Sequence, residues 1–130
     1  MLNYTSQPVI PLFNTATLTA DYTGNRKVFE TGGFSKLSLD VVYNMDAGET
    51  LNLLEFQLEA SNNGTDWFIL AIDTTTTTES TITERHWEMS EGSQNILIDI
   101  AYKYMRLSLL ESGVVTTFGT ASVTATLSGL

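Results

Sequence analysis

The chain has 130 residues, with 6 Lys and Arg against 15 Asp and Glu for a formal charge of −9, and it contains no cysteine. So acidic a chain, with Arg26, Lys27, Lys36, Arg85, Lys103 and Arg106 scattered along it, has little to neutralise phosphates, which excludes nucleic acid and anionic membranes as expected partners. Disulfide frameworks and thiolate metal sites go with the cysteines, while 42% hydrophobic residues suffice for one core.

Residues 1–14 come first. Pro8 and Pro11 in QPVIPLF fix φ and remove ladder donors, so an extended N-terminal arm is expected over 1–14, followed by a single domain over 15–130. The arm either folds over its own domain or packs on a neighbouring subunit. Its apolar side chains Val9, Ile10, Leu12 and Phe13 are the candidate partner-binding residues.

Alternation of period 2 then recurs along most of the chain, as expected of strands with one buried face. After a weak strand at 15–22, Leu37, Leu39, Val41 and Tyr43 share one face of 35–45, and Leu54, Phe56, Leu58 and Ala60 share one face of 54–60. SNNGTD follows. Its Asn63-Gly64 pair tolerates positive φ and predicts a turn, with Asn63, Gly64 and Trp67 as structural residues and 67–72 paired antiparallel to 51–61. The continuous apolar run WFILAI at 67–72 reads as a strand covered on both sides, with Trp67 in the core. Thr74, Thr75, Thr76, Thr77 and Thr78 form a run in a chain holding 20 threonines, expected as a loop or edge whose hydroxyls could meet a ligand or partner. A second weak strand is expected at 80–88. Ile96, Ile98 and Ile100 alternate, Met105, Leu107 and Leu109 oppose Tyr104, Arg106 and Ser108, and Ala121, Val123, Ala125 and Leu127 oppose Ser122, Thr124 and Thr126.

No amphipathic helix interrupts these segments. Glycine and asparagine punctuation leaves about eight or nine strands of ordinary length, so the expected fold is all-β: an antiparallel β-sandwich, jelly roll or small barrel.

Catalytic patterns are lacking. His86 is the one histidine, and without a cysteine or a strand-turn-helix context for a nucleophilic serine it supports no triad. A strand placing Trp87 and Met89 on one face and His86 and Glu88 on the other explains it. Asp40, Glu55, Glu59 and Asp99 fall on polar faces where solvation suffices. Asn62, Asn63 and Asp66 are rich in oxygen but lack the calcium-loop pattern, and hairpin chemistry accounts for them. No phosphate-cradling motif is present. The expectation is therefore a protein that is not an enzyme, with no metal and no cofactor. Trp67, Trp87, Tyr4, Tyr22, Tyr43, Tyr102 and Tyr104 could stack on sugar rings, Trp87 being the best placed for exposed contact.

Two segments carry a resemblance. LEFQLEASNNGTDWFIL, followed by AYKYMRLSLLES, resembles the discoidin and carbohydrate-binding-module branch of the galactose-binding-like jelly rolls, in which an S-x-D-G-x-x-W turn precedes an R-Y-I/V-R strand. Ser61, Gly64 and Trp67 match the turn and Tyr104 and Arg106 the strand, a resemblance that implies an antiparallel β-sandwich of jelly-roll type with about eight strands. Asn63 replaces the usual Asp, Lys103 stands at the first Arg, and the terminal disulfide is missing. The strand pattern and the closing GTASVTAT segment, read as a hairpin, are also similar to small structural proteins of tailed bacteriophages. That resemblance implies a virion protein made in the host cytoplasm that decorates or cements a capsid through contacts with other subunits, with homo-oligomers expected. A carbohydrate-binding module, or a tail or adsorption protein recognising a glycan, is the alternative. The start MLNYTSQPVIPLFN lacks the basic and apolar regions of a signal peptide.

Overall fold

Nine strands carry the residues described by the computed structural model, 7–70 and 86–129. They are β1 (Val9–Thr17), β2 (Asn25–Glu30), β3 (Lys36–Asn44), β4 (Leu53–Ser61), β5 (Phe68–Ile69), β6 (Trp87–Met89), β7 (Gly92–Asp99), β8 (Tyr104–Ser112) and β9 (Thr120–Ser128). All pairings are antiparallel, in one sheet of order β1-β9-β3-β7 and a second of order β2-β8-β4-β5 in which β6 also pairs with β4. Strand β8 covers one side of β4 along its length, so β5 and β6, which meet β4 at residues 59–60 and 54–56, share its other side. Counted as one interrupted strand, they leave eight strand positions in the interleaved order of a jelly roll.

The core forms where the period-2 faces meet. Leu37, Leu39, Val41 and Tyr43 from β3, with Ala121, Val123, Ala125 and Leu127 from β9, face Leu54, Phe56, Leu58 and Ala60 from β4 and Met105, Leu107 and Leu109 from β8, all buried. GTASVTAT is therefore not a hairpin. Residues 120–128 are one strand between β1 and β3, and the chain changes sheets between β8 and β9.

The first segment departs from the expected arm. From Val9 onward it is extended as its prolines require, but it is hydrogen-bonded to β9 as an edge strand of the sandwich. Pro11 is tolerated there because an edge has one side without ladder bonds. Register shifts between Pro11 and Phe13 and between Phe13 and Ala16, with Thr15 at φ 50° and its N–H donated to Ser122 Oγ at 2.8 Å, mark bulges. The first bulge lets the consecutive residues Leu12 and Phe13 both reach the core. These two are thus packed inside their own domain and are not available to a partner, whereas Val9 is exposed and Ile10 half-buried.

The run WFILAI also differs from expectation. Of its described residues, 67–70, Phe68 and Ile69 are strand, and they are 65% and 42% exposed. Hairpin pairing with β4 is present, Glu59 opposite Ile69 and Ala60 opposite Phe68. Thr74 to Thr78 lie outside the described residues.

Candidate functional site

The two segments behind the resemblance meet on the outer face of the second sheet. Ser61 lies opposite Tyr104 and Glu59 opposite Arg106 in the β4–β8 ladder. Ser61 Oγ accepts the N–H groups of Asn63 (3.3 Å) and Gly64 (2.9 Å), and Asn63 Oδ1 accepts those of Thr65 (2.9 Å) and Asp66 (2.8 Å). Side-chain oxygens that close a turn in this way are engaged by it. Gly64, at φ 81°, sits against the Tyr104 ring. The turn then delivers Trp67 over the Arg106 guanidinium, whose carbon is 4.5 Å from the ring centroid. Trp67 is therefore half-buried on the outer face and not a core residue.

Under that ring is a charged network. Arg106 donates to both carboxylate oxygens of Glu59, Nε at 3.2 Å and Nη2 at 2.7 Å, while Arg26 Nη2 approaches Glu59 at 3.9 Å and Arg26 Nε donates to Ser108 Oγ at 2.9 Å. Glu59 was expected in solvent but is 7% exposed. Its partners are the two arginines, one of them stacked under Trp67, and a bidentate fork is the geometry that compensates such burial.

Trp87 is not a free stacking platform. It faces inward opposite Phe56 in the β4–β6 pairing, with ring centroids 5.2 Å apart, and closes the edge of the core. Tyr43 is fully buried. Among the aromatics expected to stack on a sugar, Tyr102 lines an open groove. With Phe34, Ser35, Asn62 and Lys103 it borders a groove of about 400 Å³ at the sandwich end formed by the β2–β3, β4–β5 and β7–β8 connections. These loops are tied together: Thr31 N–H donates to Lys103 O at 3.0 Å, its hydroxyl to Tyr102 O, and Ile100 N–H to Ser35 O at 2.8 Å.

The opposite end is acidic. Glu49 Oε1 accepts the N–H groups of Thr117 and Thr116, both at 2.6 Å, and these bonds hold its carboxyl below the ordinary glutamate value of 4.5. A carboxyl depressed by folding stabilises the fold above its unfolded pKa, and that contribution is lost as pH falls through the folded pKa. In an NMR titration, Glu49 should therefore show a midpoint below 4.5, with the Thr116 and Thr117 amide shifts following the same midpoint. Equal midpoints for Glu49 and an unstructured glutamate would refute the bonds.

Among the described residues the sheet edges are unequal. Strand β1 carries Pro11 and bulges, β2 carries Arg26, Lys27 and Glu30, and β5 and β6 are two and three residues long. All are recognised protections against edge pairing. Strand β7 has eight residues with an unbroken ladder to β3 on one side, no proline, and a single charge, Asp99, paired to Lys36 at 2.8 Å. Leu97 is 68% exposed on it. Because β6 reaches β7 across Ser90 and Glu91, Phe68, Ile69 and Leu97 are exposed on edges along the same side of the sandwich. No protein-family model, curated protein or solved structure matches the chain.

Proposed function

We propose that this protein is a non-enzymatic structural subunit of a virion, of the kind that decorates or cements a capsid. The observation that carries the reading is the β7 edge, the one strand edge among the described residues without a protective device, on a jelly roll, an architecture used by viral capsid domains. A row of N–H and C=O groups that pairs with no described strand is a template for another strand, and antiparallel pairing of two β7 strands about a twofold axis would extend the four-stranded sheet across two copies. Asp99 is neutralised within its own chain, so the high net charge opposes pairing least at this edge. Leu12 and Phe13, being core, take no part. Val9 remains as a contact of the opposite edge.

The test is self-association. The wild-type chain should form dimers by analytical ultracentrifugation, and Leu97→Lys, an exposed edge substitution, should be monomeric with an unchanged melting temperature. Particles purified from the source should hold the chain at a copy number comparable with the main capsid subunit. A monomeric wild type absent from particles overturns the reading. The groove beside Tyr102 and Asn62 supports a second reading, glycan recognition, since aromatic faces with amide and ammonium groups suit a sugar. Specific glycan binding lost in Tyr102→Ala and kept in Leu97→Lys would favour it.

A further inference from the structure

We infer that Glu55, His86 and Glu88 form a binding site for a divalent transition metal of the zinc class. Alternation places His86 and Glu88 on the same face of β6 and its N-terminal flank, and Glu88 lies directly opposite Glu55 in the β4–β6 register. His86 Nε2 is 3.0 Å from Glu88 Oε1 and 3.8 Å from Glu55 Oε1, and the three donor atoms lie within 4.8 Å of one another. The side chains of His86 and Glu55 are 15% and 20% exposed, that of Glu88 49%, so the cluster has a half-buried floor and one open side.

Electrostatics on this face ask for a cation there. Two carboxylates directly opposed across a ladder repel. Among the described residues, Arg106 and Arg26 on the same sheet face are engaged with Glu59, and Lys36 is paired with Asp99 on the other sheet. A dication bound between Glu55, Glu88 and His86 converts the repulsion into coordination.

The donor set selects the ion. One imidazole nitrogen with two carboxylate oxygens suits zinc and its neighbours, whereas calcium and magnesium take oxygen ligands only. Three protein donors leave a fourth position for water. The surroundings hold the donors in place: Ser112 Oγ donates to Glu55 Oε1 at 3.1 Å, and between His86 and Glu88 the Trp87 ring is stacked on Phe56. Bound metal would clamp the three-residue β6 onto β4, adding a cross-strand link to a ladder of three residue pairs.

The experiment is calorimetric titration of ZnCl₂ into the full chain after chelator treatment, with melting temperature as a second readout. Wild type should bind one equivalent and melt higher with Zn²⁺. His86→Ala and Glu55→Gln should bind roughly tenfold or more weakly and lose the thermal shift, while circular dichroism confirms their fold. Undiminished binding in folded His86→Ala, no binding in wild type, or preference for CaCl₂ over ZnCl₂ overturns the assignment. None of these outcomes bears on association through β7, which Leu97→Lys tests separately.

Discussion

Replacing Glu111 by alanine should destabilise the protein by about 2–6 kcal/mol, measured by urea unfolding, because it strands two buried donors at roughly 1–3 kcal/mol each. Glu111 is 2% exposed on the inner face of β8. One carboxylate oxygen accepts the hydroxyl of Tyr43, which is fully buried on β3 in the facing sheet, and the other accepts the Gly119 N–H at 2.7 Å. The residue thus ties the two sheets and the β8–β9 connection together through a single side chain. Tyr43→Phe removes one donor and leaves one carboxylate oxygen unpaired, so its cost should be smaller, about 1–3 kcal/mol. The double variant should cost less than the sum of the singles, because both act on the same bond. Burial, then the Glu111 hydrogen bond and charge, push the Tyr43 phenol well above its ordinary value of 10. A phenol raised by folding stabilises fully below the unfolded pKa and loses that contribution as pH rises beyond it, so wild type should weaken above pH 10 and Tyr43→Phe should weaken less. A Glu111→Ala protein within 1 kcal/mol of wild type, below the ~1–3 kcal/mol of even one stranded donor, would show that this pair does not join the sheets.

Gly119→Ala should be nearly as damaging, at about 3 kcal/mol or more, the upper end of the range for overpacking. A Cβ at this position would lie 2.2 Å from Asn44 O and 2.9 Å from Met45 Cα, both backbone atoms at the end of β3. The glycine cannot retreat, since its N–H is bound to Glu111 and its carbonyl accepts Leu18 N–H at 2.9 Å. Its φ is not in the left-handed region, so the requirement is for space and not for conformation. Gly48 is the control. Its φ is ordinary too, and an added Cβ meets nothing nearer than Asp46 Oδ2 at 4.0 Å, so Gly48→Ala should shift stability by no more than about 0.5 kcal/mol. Equal melting temperatures for the two alanine variants would refute the close approach.

Legibility in the sequence followed the strands' position in their sheets. In β3, β4, β8 and β9 the alternating residues are the buried ones, because each is a long strand with one face on the core. Edge strands obeyed the rule less well. β2 places Lys27 and Phe29 on the same inward face, so its alternation is hidden, and the apolar Phe68 and Ile69 of the two-residue β5 are exposed. The Ser61–Trp67 turn could be read, since Ser, Asn and Gly close it through bonds within seven residues. That Glu59 is buried, and that Glu55 faces His86, could not, because each depends on a residue at least 31 positions away.

The sequence by itself determined an acidic, cysteine-free chain of alternating strands with a turn at Asn63-Gly64, since composition and period 2 are local properties. Which strands pair, and therefore which described strands lie at the sheet edges, was decided only by the tertiary structure. Alternation states which face of a strand is buried but carries no label for its neighbour. The interleaved strand order, the bulge that draws Leu12 and Phe13 inward, the Tyr43–Glu111 tie and the Glu55–His86–Glu88 cluster all arise from contacts between residues far apart in the chain.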